Sequence, residues 1–220
     1  MANVAINSLS EFRKKVSITY EFIAAAHHEA GHVVYGLLKG FKIESVSIYE
    51  HKKYKKIEGI TNSLIPQIRN IDDINAKQNL AISEICYNYA GLVAEKYHFK
   101  QISGSDKFPL FLRNGSSEDT LTSAAIIRQH LDIPTGYKRY EYKKKLISKT
   151  QREIKKHWNI VLLVAHELFR KKELSYLDLK ELIINGSKDK KFWKKQFSDI
   201  EKVFEGTLVD ENLFRITFCL

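Results

Sequence analysis

The chain has 220 residues, of which 44% are hydrophobic and 11% aromatic, with only three prolines and ten glycines. This composition excludes collagen-like and extensively disordered proteins. It contains neither an apolar run of the roughly 20 residues that a membrane span needs nor an apolar signal-peptide core, and we therefore expect a soluble, cytoplasmic protein. The two cysteines form no disulfide framework or metal knuckle, and the net charge is +10.

The first half of the chain predicts a long helix, a pair of strands and a second long helix. Apolar residues recur every three or four positions over 17–39, and Gly40 is placed to end that helix. Apolar and polar residues alternate in FKIESVSIYEH (41–51), and EGITNSLI (58–65) follows a lysine-rich loop, so we expect two short strands that pair. A helix opened by acidic residues follows over 72–98.

The second half predicts further helices after a long loop. Glycine, serine and proline mark the loop over 100–119, and helix resumes at about Ser117 with acidic residues in its first turn. Two or three helices follow within 140–173 and 175–184, and the terminal LFRITFCL (213–220) is compatible with a strand. The predicted fold class is therefore α+β, mainly α-helical with a small β-sheet and a helical C-terminal bundle.

The first helix carries the H-E-x-x-H pattern in residues 28–32. Residues four apart on a helix share a face, so the imidazoles of His28 and His32 can reach one zinc ion. Glu29 lies beside them, where it can take a proton from a water held by that ion. The neighbouring His27 points about 100° away from His28, which favours a packing or supporting role. The pattern alone lacks a third ligand, and two ordinary helical histidines are the alternative interpretation.

Several segments, in order, resemble the peptidase module of the FtsH-type AAA zinc metallopeptidases. HHEAGHVVYGLLKG is similar to the family's zinc-binding helix, and IESVSIY to the strand after it. YNYAGLVAEKYHF resembles the family's glycine- and alanine-rich helix, with Gly91, Ala94 and Glu95 at matching places. NGSSEDTLTSAAIIRQ is similar to the T-G-A-S-N-D stretch that opens a helix, and HWNIVLLVAHELFRKKELSYLDLKELI to the closing helices.

The resemblance implies a zinc metalloendopeptidase with a zincin-like active-site helix. By carry-over, Zn²⁺ would be bound by His28, His32 and Asp119, with Glu29 as the general base. It also implies a peptidase-like domain over 17–186, preceded by an N-terminal extension (1–16) and followed by a C-terminal extension (187–220) that packs on the domain. The sequence has no G-x-x-x-x-G-K-[ST] phosphate loop, so substrates would be unfolded or flexible protein segments, or would be presented by a separate ATPase or adaptor.

Two alternatives stay open at this point. Between Lys138 and Lys202 the chain has 19 Lys and Arg residues against 9 Asp and Glu residues, so a peptidase-like regulatory module could contact nucleic acid or an acidic protein there. Solvated helix faces are the simpler interpretation of the same lysines. A different zincin, of the repressor-cleaving ImmA/IrrE type, would need a third ligand other than Asp119. The oligomeric state is not indicated by the sequence.

Overall fold

The computed structural model describes residues 9–66, 71–105, 117–131, 133 and 136–204. Within these residues, helices pack against a small antiparallel sheet, which confirms the α+β class predicted from the sequence. The helices are α1 (Leu9–Leu38), α2 (Ile74–Ser103), α3 (Ser117–His130), α4 (Tyr137–Lys156), α5 (Trp158–Lys171), α6 (Tyr176–Gly186) and α7 (Lys190–Phe204). The strands are β1 (Lys42–His51), β2 (Lys56–Leu64) and β3 (Glu173–Ser175).

Helix α1 is the central element of the core, since it packs against α2, α5 and both long strands. It begins at Leu9, so part of the expected N-terminal extension continues the helix. It ends where the sequence indicated. Gly40 has a φ of 77° and its N–H donates to the Leu37 carbonyl at 3.1 Å, a left-handed conformation that a residue with a Cβ adopts only with strain.

The sheet has the order β2-β1-β3, with β1 in the middle. β1 and β2 form the expected hairpin, which pairs from Lys42 opposite Leu64 to His51 opposite Lys56 with a shift of register between Ile43 and Ser45. The third strand was not predicted, because β3 has only three residues and follows directly on a helix. It is fixed by β1, where Val46 lies opposite Leu174, so the short segment forms a strand only because a partner is present.

Helices α1 and α2 cross at unusually small residues. A Cβ added at Gly31 would clash with the backbone carbonyl of Ala90 and lie 2.8 Å from the Cβ of Ala94. The side chain of Asp73 caps the start of α2 by accepting a hydrogen bond from the Asn75 N–H at 2.8 Å. The close crossing brings the middle of α2 directly against the H-E-x-x-H turn of α1.

The basic C-terminal region forms helices α4 to α7, which complete the core. Helix α7 was not predicted as a helix, yet it buries Trp193, Phe197 and Ile200. Its Gln196 side chain donates from Nε2 to the Leu37 carbonyl at 2.6 Å, at the end of α1. In the described part of the chain, no helix combines the length and apolarity needed to cross a bilayer. The predicted strand over 213–220 lies outside the described residues, as does loop segment 106–116.

We expect Gly31→Ala to lower the free energy of unfolding by about 1 to 3 kcal/mol, because the methyl group would push against the backbone of α2. Gly186→Ala is the matched control, since its added methyl meets only the end of the Leu163 side chain, which can move. Urea denaturation of the metal-free protein measures both variants. A Gly31→Ala variant as stable as the control would show that the two helices do not need this close approach.

Candidate metal centre

The two histidines of the H-E-x-x-H turn face the same point inside the protein. His28 and His32 are both buried, and their Nε2 atoms are 3.1 Å apart. They lie one helical turn apart on the face of α1 that packs against α2. The sequence predicted this shared face from the spacing of four residues.

Asp119 joins them from a third helix. It lies in the first turn of α3, and its Oδ2 is 3.2 Å from His28 Nε2 and 3.4 Å from His32 Nε2. The three residues form a group whose ligand atoms all lie within 4.8 Å of one another. A tetrahedral ion with bonds of about 2.0 to 2.2 Å separates its ligand atoms by about 3.4 Å, so these separations suit a single metal ion.

The other ring nitrogens of both histidines are already engaged. His32 Nδ1 donates to the backbone carbonyl of Tyr87 at 2.9 Å, and His28 Nδ1 lies 3.1 Å from the Glu95 carboxylate. Because a carbonyl can only accept, the proton of a neutral His32 is on Nδ1 and its Nε2 carries a lone pair. A neutral His28 beside an ionised Glu95 likewise has its proton on Nδ1 and its lone pair on Nε2. When both rings are neutral, two lone pairs and the Asp119 carboxylate face one point, which is the arrangement that a cation satisfies.

The electrostatics of the group favour positive charge at its centre. Burial by itself would lower the pKa of His28, but Asp119, Glu95 and Glu29 outweigh burial and raise that pKa to about 10. Burial would likewise raise the pKa of Asp119, and His28 and His32 outweigh it, so that the carboxyl stays ionised. In the metal-free protein a proton on His28 supplies this positive charge, and a bound metal ion would replace that proton.

Helix α2 supplies the residues that orient the site, and the motif spacing did not indicate most of them. Glu95 was matched in the family resemblance but was given no role. It is a buried carboxyl whose pKa is raised by burial and lowered in part by His28. One turn before it, a Cβ at Gly91 would clash with the Nε2 atoms of both His28 and His32. The signal available in the sequence was an acidic residue within an otherwise apolar stretch of α2.

Glu29 lies outside the group of ligand atoms and points toward the sheet. Its Oε2 accepts a hydrogen bond from Thr61 Oγ1 at 2.6 Å, and its carboxylate occupies the space that a side chain at Gly59 would need. Gly59 and Thr61 are two apart on β2 and therefore share one face of the strand. Neither residue was predicted to contact Glu29, because the residue pattern of the two strands does not indicate which of their side chains contact α1.

His27 packs away from the metal ligands. Its ring stacks on His98 with centroids 3.5 Å apart, and its Nδ1 lies 2.8 Å from the Ile23 carbonyl. Burial and the neighbouring His98 lower its pKa to about 4, so it is neutral near pH 7. This is the packing role expected from its direction on the helix.

No protein-family model matches the chain, and no curated protein sequence matches it significantly.

Proposed function

We propose that the protein is a zinc-dependent metalloendopeptidase. The observation that carries the proposal is the convergence of His28 Nε2, His32 Nε2 and Asp119 Oδ2 at 3.1 to 3.4 Å, with the other ring nitrogens held by fixed partners. Two imidazoles and one carboxylate are the ligand set of many catalytic zinc sites, which keep a fourth position open. The presence of Glu29 beside the ligands favours hydrolysis over the oxygen chemistry of iron sites with similar ligands.

The chemistry would divide between the metal and the residues around it. When bound, zinc lowers the pKa of a water to about 7 and polarises a carbonyl. Glu29 would take a proton from the attacking water and deliver it to the amine that leaves. The Thr61 hydroxyl holds one oxygen of the Glu29 carboxylate, which restricts its rotation and leaves the other oxygen to exchange the proton. Glu95 and the Tyr87 carbonyl would keep the two imidazoles aligned.

The sheet offers a place for an extended substrate. Among the described strands, β2 pairs with β1 on one side only, so its second edge has unpaired backbone groups, and its inner face holds Glu29. Peptides commonly bind by adding a strand to such an edge. We propose that flexible or unfolded protein segments bind there, delivered where necessary by a separate ATPase or adaptor.

We expect the purified protein to bind about one zinc ion per chain and the double variant His28→Ala/His32→Ala to bind none. Asp119→Ala is expected to weaken zinc binding by more than about 100-fold, because loss even of an outer partner of a ligand costs about 10- to 100-fold. Glu118→Ala, in the same helical turn, is the control and should bind zinc normally. Metal analysis and competition with a chelator measure these values. Full zinc affinity in Asp119→Ala would favour a zincin of the other type, and iron in place of zinc would contradict the proposal.

We expect Glu29→Gln to retain zinc while losing about 10²- to 10⁴-fold in kcat, because the amide cannot accept the proton. The exposed Glu44→Gln should retain full activity and serves as the charge-matched control. Cleavage of an unfolded, fluorescently labelled casein reports the rate. Full activity in Glu29→Gln would rule out this mechanism.

We expect Thr61→Val to reduce kcat by about 10-fold with unchanged zinc content and little change in KM, since a hydrogen bond to a charged group contributes about 1.5 to 3 kcal/mol. Thr61→Ser keeps the hydroxyl and should restore most of the rate. Equal loss in the Val and Ser variants would instead indicate a packing role for the methyl group.

A further inference from the structure

A row of five cations runs along one side of α4. Lys138, Lys145, Lys149, Arg152 and Lys156 are separated by seven, four, three and four positions, and all five are exposed. At about 100° per residue, these steps place the five side chains within an arc of about 60°. At about 1.5 Å per residue, the row is about 27 Å long.

The five side chains of this row form no ion pairs with other residues that the structure describes. Of the two acids on the same helix, Glu141 pairs with Lys144, and Glu153 pairs with none of the five. Other cations of the C-terminal half do pair, for example Arg170 with Glu167 and Lys180 with Glu201. A helix face that was only solvated would be expected to mix both signs in the same way.

A sixth cation lies beside the row. Lys39 follows the last turn of α1, is 7% exposed, and has its ammonium 5.4 Å from the centre of the Tyr35 ring. Burial lowers the pKa of Lys39, Glu153 opposes this effect, and Lys149 and Lys156 lower the pKa by smaller amounts. The positive charge of Lys39 therefore lies near Lys149 and Lys156, beneath the surface that the row forms.

The chemistry of α4 favours a nucleic acid over a membrane. The apolar side of the helix, with Leu146 and Ile154, is buried in the core, so no apolar face is left to insert into lipid. Just before Lys138, the ring of Tyr137 is 75% exposed, whereas Tyr140 lies on another side of the helix with the Lys144 ammonium over its ring. Exposed aromatic rings next to Lys and Arg are typical of surfaces that bind single-stranded nucleic acid, because unpaired bases stack on the rings.

We propose that α4 binds single-stranded nucleic acid, with the row of cations along the phosphodiester backbone and the exposed ring of Tyr137, at the start of the helix, against a base. This surface does not include the metal ligands, and the inference does not depend on the proposed peptidase activity. Each phosphate contact releases counterions, so binding should weaken steeply as salt rises.

The test is fluorescence anisotropy of the full-length protein with a labelled single-stranded RNA of 20 nucleotides at several salt concentrations. We expect binding at low salt that is unchanged by a zinc chelator. The row variant, Lys145→Gln/Lys149→Gln/Arg152→Gln/Lys156→Gln, should weaken binding by at least about 10-fold and reduce the salt slope by about 3, since each contact contributes about 0.7. The control, Lys52→Gln/Lys53→Gln/Lys55→Gln/Lys56→Gln, removes equal charge from the β1–β2 turn and should bind nearly as the wild type does.

Three results would overturn the proposal. The first is an absence of RNA binding at low salt by the folded wild-type protein. The second is an equal loss in the row variant and the control, because it would mean that net charge and not α4 determines binding. The third is tighter binding to phosphatidylserine vesicles or to polyglutamate than to the RNA at the same salt concentration. Circular dichroism of both variants verifies that they are folded.

Discussion

The candidate site depends on the close crossing of α1 and α2. At Gly31 the two backbones are too near for any side chain, and this distance lets α2 reach the imidazoles of α1 from behind. The Tyr87 carbonyl and the Glu95 carboxylate each hold one Nδ1 atom, so both rings are oriented by the same partner helix. A wider crossing would leave His28 and His32 free to rotate, and their Nε2 atoms would no longer face one point.

Three separate elements then meet at the turn that contains the H-E-x-x-H pattern. Helix α3 contributes Asp119, α2 orients the rings, and β2 holds Glu29 through the Thr61 hydroxyl. Asp119 and Glu29 have different surroundings in this arrangement. Asp119 faces the lone pairs of both histidines, whereas Glu29 turns toward the sheet and lies outside the ligand group. The geometry therefore allows one carboxylate to bind a cation while the other remains available to exchange protons.

Local features of the sequence predicted much of this architecture. The helical periodicity and Gly40 indicated α1 and its end, the alternation of polar and apolar residues indicated the hairpin, and the spacing of four placed His28 and His32 on one face. The contributions of Thr61 and Glu95 could not be predicted from the residues themselves, because they depend on contacts between elements far apart in the chain. Helix α7 was not predicted for a related reason. Its sequence is rich in lysine, and its apolar face is buried only because the helix packs near the end of α1.

The outer edge and the inner face of strand β2 serve different parts of the proposed chemistry. If its free edge receives a peptide while its inner face fixes Glu29, binding and proton transfer share one rigid element. A peptide that pairs in a shifted register would still bind through its backbone, yet it would bring the wrong bond to the carboxylate. A displacement of about 1 Å in a reacting group can cost about 100-fold in rate. Selectivity would then reside in the speed of the reaction and not in affinity, so many segments could occupy the strand while few were cut.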